Sequence, residues 1–262
     1  MPHISFSELK NWQKCSYYHK LVHVDKLKGF EGNAYTAFGT AVHNVCEKIL
    51  LDVSDDGAEH MFELNFLQEL QSLSDDAKEK FDKKMVTDMR QQGKDIVSLV
   101  LESVKEYFGE YEVISTEERL YEPIKEYSEY EYLFKGFVDL VVKTSDGKYH
   151  IIDWKTCSWG WDTRRKTEPM TTYQLTLYKH YFALKHDIEP SEIETHFALL
   201  KRCAKENRVE FFRVTSGNRK TNNALNLLAK ALYNITRSNH IKNRLACEKP
   251  FRCDFYGTKH CR

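Results

Sequence analysis

GFVDLVVKTSDGKYHIIDWKT, running from Gly136 to Thr156, is the stretch that decides how the chain is read. Two apolar runs, Phe134 to Val142 and Tyr149 to Trp154, flank a Ser145-Asp146-Gly147 turn signal and predict a β-hairpin. Asp139, Asp153 and Lys155 interrupt those runs where a core would want no charge. Asp153 and Lys155 are two residues apart, so on a strand both side chains leave the same face. Whether Asp139 joins them depends on register. A two-residue Asp-Gly turn pairs Ser145 with Lys148 and sets Asp139 across from Trp154. A three-residue loop with Gly147 left-handed pairs Thr144 with Lys148 and sets Asp139 across from Asp153. Loops of the second kind want glycine in their last position, so turn chemistry and carboxylate convergence agree.

Two carboxylates and a lysine at one spot suit a hard divalent cation, Mg²⁺ or Mn²⁺, of the kind that bridges to substrate phosphates. Such an ion supplies a nucleophilic hydroxide and neutralises charge on a phosphoryl group. Lys155 would orient or deprotonate the attacking water, or hold a non-bridging oxygen. The bland alternative is a surface hairpin carrying an ion pair.

At these residues the sequence resembles the PD-(D/E)xK nuclease superfamily in its RecB-like branch, which includes CRISPR-associated nucleases and phage and mitochondrial exonucleases. Asp139 matches the first acidic residue of that pattern, and Asp153 with Lys155 match its (D/E)-x-K. Gly39-Thr40-Ala41-Val42-His43, followed by Glu47, resembles an upstream G-x-x-x-H segment, and Gln174 to Tyr178 a downstream Q-x-x-x-Y. Ile4-Ser5-Phe6-Ser7 through Cys15 resembles the family's usual opening. The resemblance implies a restriction-endonuclease-like α/β core, a mixed central sheet flanked by helices. It implies His43, Asp139 and Asp153 as metal ligands, with Glu118 a further one from the preceding strand. Lys155, Gln174 and Tyr178 would complete the catalytic set. A neutral imidazole ligand would tilt the metal preference toward Mn²⁺.

Relatives with an iron–sulfur cluster use one N-terminal cysteine, where Cys15 stands, and three near the C-terminus. The resemblance thus implies Cys15, Cys247, Cys253 and Cys261 as ligands of a [4Fe–4S] cluster or Zn²⁺. The tail departs from the usual C-x₂-C-x₅-C: it reads C-x₅-C-x₇-C, with Pro250 where the first cysteine of C-x₂-C would stand. Free thiols in a packed tail are the alternative.

At 262 residues the chain can hold one large domain. We expect a single nuclease domain, 1–262. It would comprise N-terminal helices with the His motif (1–50), a helical lobe inserted before the hairpin (51–112), a nuclease core (113–240) and a cysteine-containing tail (241–262). Thirty-nine basic and 39 acidic residues cancel, which argues against indiscriminate coating of DNA and leaves a local basic groove open. No apolar run approaches the roughly 20 residues of a membrane span, and no secretory signal is seen. Seven cysteines, unevenly spread, do not make a secreted disulfide framework. An intracellular, cytoplasmic protein, bacterial or phage-encoded, is expected.

Taken in order, Ser5 or Ser7 caps a first helix with Glu8 closing a capping box, and a second helix starting near Ala34 carries His43 and Glu47 on one face. Two or three helices fill Asp52 to Tyr111. Val113 to Pro123 is a strand, followed by the hairpin. Trp159, Trp161, Arg164, Arg165 and Lys166 then form a loop that could stack on bases and track phosphates of DNA, or pack its tryptophans inward. A helix over Thr171 to Lys185, strands over Ile193 to Lys201 and Arg208 to Thr215, and a helix over Lys220 to Arg237 complete the chain.

The function expected is a divalent-metal-dependent DNA nuclease. An exonuclease on duplex ends or single strands, serving replication, recombination or repair, is favoured over an endonuclease. A DNA-binding scaffold with a nuclease fold and little catalysis, or a CRISPR-adaptation nuclease, are the alternatives.

Overall fold

A computed structural model describes residues 1–52, 54–129, 131–248 and 252–262. Its elements, in order, are β1 (His3–Ser5), α1 (Phe6–Lys14), α2 (Ser16–His19), a π-turn (Lys20–Val24), α3 (Ala34–Asp52), α4 (Ala58–Ser72), α5 (Asp75–Lys78) and α6 (Lys83–Phe108). There follow β2 (Tyr111–Pro123), β3 (Leu133–Thr144), β4 (Tyr149–Cys157), α7 (Thr163–Thr167), α8 (Pro169–His186), β5 (Ile193–Lys201), β6 (Val209–Val214) and α9 (Asn218–Thr236). The fold is mixed α/β, a six-stranded mixed sheet flanked by helices.

The strands pair in the order β1-β3-β4-β5-β6, with β2 also on β3. β1 runs parallel to β3, β4 antiparallel to β3, β5 parallel to β4, and β6 antiparallel to β5. The parallel step from β4 to β5 requires a crossover, and α7 and α8 supply it. β1 is a strand that the sequence reading did not foresee. It is three residues long and ends at Ser5, whose side chain caps α1 by accepting from the Glu8 N–H at 3.2 Å. Nothing so short carries a period that could be read.

The chain divides into two compact units, each built from separated segments. One comprises Met1–Phe30, Leu120–Gly136 and Ser216–Arg262, and the other Glu31–Arg119 and Phe137–Thr215. In the second unit the apolar residues of α3 fall at 34, 37, 38, 41, 42, 45, 46, 49 and 50, and those of α6 at 89, 96, 97, 100 and 104. That three-four spacing puts one stripe of each helix into a core shared with Leu140, Val142, Ile152, Trp154, Ala198 and Leu200 of the sheet. Phe38, Phe62 and Phe66 meet at its centre, with ring centroids 5.5–5.8 Å apart. Truncating any one of them should cost about 3–5 kcal/mol.

The hairpin takes the three-residue loop. Lys143 faces Tyr149, Val142 His150, Val141 Ile151 and Leu140 Ile152, while the Thr144 N–H donates to the Lys148 carbonyl at 3.0 Å. Gly147 has φ +87°, the left-handed value this turn demands. Asp139 lies one residue beyond the last ladder pair, on the side of the strand that carries it toward Asp153. Its carboxylate substitutes for the next rung, accepting from the Trp154 N–H at 2.8 Å. Among the described residues, no helix is long and apolar enough to cross a membrane.

Candidate active site

Strand alternation leaves Ile152 and Trp154 in the helical core and sends Asp153 and Lys155 to the other face of β4. Asp153 is 1 % exposed, and the Lys155 ammonium is paired against its Oδ2. The Gln174 amide, on α8, donates to Asp153 Oδ1 at 2.6 Å and lies 3.3 Å from the Tyr178 hydroxyl one turn further on. The i,i+4 spacing of Gln174 and Tyr178 thus places both side chains at the Asp153 carboxylate.

His43 comes in on α3, its Nδ1 3.7 Å from Asp139 Oδ2. Gly39 explains how the helix gets this close. A Cβ there would sit 3.3 Å from the Thr156 hydroxyl of β4, tighter than an ordinary contact. One helical turn later His43 overhangs the carboxylates.

The electrostatics of the site follow from burial. Desolvation pushes the Asp139 carboxyl up to about 6, against the pull of Lys155 and the Trp154 N–H, and the charges of Glu117 and Glu47 push the same way. Asp153 also rises to about 6, first through burial, with Lys155 opposing and Asp139 adding. His43 is lowered to about 4 by burial and then by Lys155, so its imidazole is neutral at pH 7. Burial, then the charge of Asp153, raises Tyr178 and keeps it a phenol. Asp153 Oδ2 is buried against the Lys155 ammonium. A neutral imidazole and two carboxylates, one of them met by that ammonium, fit a divalent cation held by His43, Asp139 and Asp153.

Glu118 stands apart from this group. Its carboxylate accepts from Ser115 at 2.6 Å, Lys185 at 2.8 Å and His186 at 2.5 Å. Burial alone would raise its pKa, but these bonds outweigh it and hold the group below the usual value. Glu117 is instead the neighbour whose charge acts on His43, Asp139 and Glu47. Along β2 the inward positions are Tyr111, Val113 and Ser115, and then Glu118 and Leu120. The phase slips beside Glu117, whose φ is +46°, as at a bulge that re-aims a side chain.

The segment after β4 splits. Trp159 is 71 % exposed and Arg164 is exposed. Trp161 turns inward onto Phe197 and Phe212, the Arg165 guanidinium lies 4.3 Å over its ring, and Lys166 pairs with Glu210 at 2.5 Å. A pocket of about 420 Å³ opens beside Trp159, lined by Tyr35, Thr156, Ser158, Arg165 and Arg202 among others. Sequence reasoning passed over Arg202 and Glu117. Arg202 is buried and donates to Gln92 and Ser158 at 3.1 Å, and no local pattern marks it. Glu117 stands beside the Glu118 that the family resemblance singles out, and nothing in the sequence marks its left-handed backbone.

In the other unit, Cys15, Cys247, Cys253 and Cys261 line one cavity together with Tyr17, Tyr18, Leu21 and Phe255. Burial, then the neighbouring Cys253, Cys261 and Cys15, raise the Cys247 thiol. No three of these sulfurs lie within 4.8 Å of one another. Four thiolates on one zinc, at about 2.3 Å each, would sit closer than that. Pro250 lies outside the described residues.

A search of curated proteins finds no match. Among solved structures, the chain is similar to a protein described as "Putative exonuclease" from Eubacterium rectale. That likeness has 14 % identity and a TM-score of 0.56, over 90 % of this chain and 81 % of that one. It also aligns with SSO0001 at 17 % identity and a TM-score of 0.39, over 95 % and 91 % of the two chains. The first likeness speaks for the fold. A model of the PD-(D/E)XK nuclease superfamily matches residues 3–261, nearly the whole chain. The chain belongs to the PD-(D/E)XK nuclease superfamily.

Proposed function

We propose that this protein is a divalent-metal-dependent deoxyribonuclease acting as an exonuclease on DNA ends or single strands. The observation that carries the reading is the buried Asp153, with one oxygen fixed by Gln174 and the other left to Lys155, beside Asp139 and His43. Mg²⁺ or Mn²⁺, when bound, would lower the pKa of a coordinated water and neutralise phosphoryl charge. Asp139, Asp153 and His43 would hold it, with Glu117 rather than Glu118 the acidic group near enough in charge to assist. Lys155 would orient the water or hold a non-bridging phosphate oxygen. The water oxygen would attack phosphorus and give up a proton, the bond to one deoxyribose oxygen would break, and that oxygen would take up a proton, so that one water is divided between the two products. Gln174 and Tyr178 fix the rotamer of Asp153 throughout. Of the predicted DNA-contacting residues, Trp159, Arg164 and Arg165 are exposed and would meet the strand.

Four cysteines around one cavity support a bound cofactor in the other unit, and sulfurs spread this widely favour a [4Fe–4S] cluster over a single Zn²⁺. Anaerobic purification with iron, sulfide and zinc analysis tests that part. Sub-stoichiometric metal in all three assays, with Cys253→Ser melting like wild type, would leave free thiols. The nuclease reading is tested on 5′-labelled, 3′-labelled, circular, single- and double-stranded DNAs with Mn²⁺. Release of mononucleotides or short oligonucleotides from ends, with circles spared, is expected. Cleavage of circles would make it an endonuclease, and binding without cleavage would favour the scaffold alternative.

A further inference from the structure

On the opposite face of the same strand, three residues before Asp153, His150 meets Glu194 and His196 of β5. His150 and Glu194 are ladder partners, and His196 is the partner of Ile152, so all three leave one face of the sheet. His150 Nδ1 and His196 Nε2 are 3.1 Å apart, and Glu194 Oε2 lies 3.9 and 4.0 Å from them. A point equidistant from these three atoms is about 2.1–2.2 Å from each, and Zn–N and Zn–O bonds run about 2.0–2.2 Å. From this geometry we infer that His150, Glu194 and His196 form a second metal site, for Zn²⁺ or a similar transition-metal ion, separate from the hydrolytic centre.

The surroundings are those of a built site. Each imidazole has its other nitrogen engaged, as metal-ligating histidines require. His150 Nε2 is 2.9 Å from the Thr144 hydroxyl, which donates onward to Asp146 at 2.5 Å. His150 Nε2 therefore carries the proton, and Nδ1 presents its lone pair to the cluster. His196 Nδ1 is 3.4 Å from the Tyr107 hydroxyl. Glu194 is similarly divided. Lys148 and Arg213 both bind Oε1, at 3.3 and 3.0 Å, and Oε2 is left facing the imidazoles. Phe108 packs against both rings, with centroids 5.0 and 5.2 Å away. Burial holds both histidines below their usual pKa, so at neutral pH both are uncharged, as ligands must be.

In the metal-free protein one proton bridges the two rings, carried on His196 Nε2 and donated to His150 Nδ1. Binding moves it to His196 Nδ1, which then donates to Tyr107, so the pair changes tautomer and releases no proton. The fourth position would be water. The ion would fasten the hairpin end of β4 to β5 and to the C-terminal end of α6.

The test is a count on the full chain. Wild type, Glu194→Gln and His196→Gln are stripped with chelator, loaded with Zn²⁺ alone at pH 7.5, passed through gel filtration and analysed for zinc. Wild type should hold one zinc more than either variant, and Zn²⁺ should raise its Tm by several degrees beyond any rise in the variants. Mn²⁺-dependent DNA cleavage should be the same in Glu194→Gln as in wild type. Equal zinc counts with an equal Tm response would overturn the proposal. Should His196→Gln not fold, zinc-edge anomalous diffraction from wild-type crystals decides: a peak among the three side chains sustains the site, and none reduces it to a hydrogen-bonded histidine pair.

Discussion

Asp153 and Glu118 are both acidic, both buried and both touched by α8, yet their environments drive them in opposite directions. Glu118 collects three donors, from Ser115, Lys185 and His186, and its carboxylate is held below its usual pKa. Asp153 has one good donor, Gln174, an ion-paired lysine and a second carboxylate close by, and it is pushed up to about 6. A saturated carboxylate stabilises a fold. An under-satisfied one carries an electrostatic deficit that a bound cation would relieve, which is why perturbed groups of the second kind mark sites.

The largest effect that could break this contrast is on turnover. Lys155→Ala should reduce DNA cleavage by on the order of 10³-fold while leaving the fold and DNA affinity nearly unchanged. Single-turnover rates with saturating Mn²⁺ measure it, and wild-type-like turnover in a purified variant would sink the mechanism.

Next comes stability without metal. Because the folded pKa of Asp153 lies above its unfolded value, the native state holds its proton more tightly than the unfolded state between about pH 4 and 6. Its ionisation therefore costs stability as pH rises through that window. In chelator, Asp153→Asn should be more stable than wild type by about 1–3 kcal/mol at pH 7 and equal to it near pH 3. Denaturant melts across pH would show the gap opening, and a constant gap would contradict the raised pKa.

Glu118→Gln should show the opposite sign. A depressed carboxylate contributes stability above its unfolded pKa that disappears on acidification. The variant should lose about 1–2 kcal/mol at pH 7 and match wild type in acid, with cleavage within about threefold of normal. Loss of cleavage at unchanged stability would return Glu118 to the site. The smallest expected effect is that of Glu117→Gln, a shift of roughly threefold to tenfold in the Mn²⁺ concentration for half-maximal cleavage. No shift would remove Glu117 from the metal's surroundings.

How much of this was legible in the sequence depended on whether the information was local. The hairpin register was, because Gly147 in a three-residue loop fixes the pairings up to Leu140 with Ile152 and so the phase that brings Asp139 toward Asp153 one residue beyond the ladder. The long helices were, because α3 and α6 repeat apolar residues at helical spacing over many turns. The choice between Glu117 and Glu118 was not, since one left-handed residue inside β2 shifts the alternation. Trp159 and Trp161 looked equivalent in sequence, and only the packing of Trp161 on Phe197 and Phe212 separates them. The triad of His150, Glu194 and His196 carried a readable sign, polar residues on alternate positions of apolar strands. Their meeting needs the parallel pairing of β4 with β5, which no short window of sequence reveals.

The threading of the two compact units also orders events during synthesis. The unit holding His43, Asp139 and Asp153 draws on nothing after Thr215, so all of its segments exist before α9 is made. The other unit joins Met1–Phe30 to Ser216–Arg262; within it the Tyr17 hydroxyl donates to the His260 carbonyl, and Asn243 to the Cys15 sulfur. Its N-terminal segment can pair β1 with β3 early, but the contacts of Cys15 and Tyr17 must wait until residues around 240–261 have left the ribosome. The cysteine cavity is thus completed after the segments of the candidate active site, and a ribosome paused before Cys261 would hold those segments with the cavity still open.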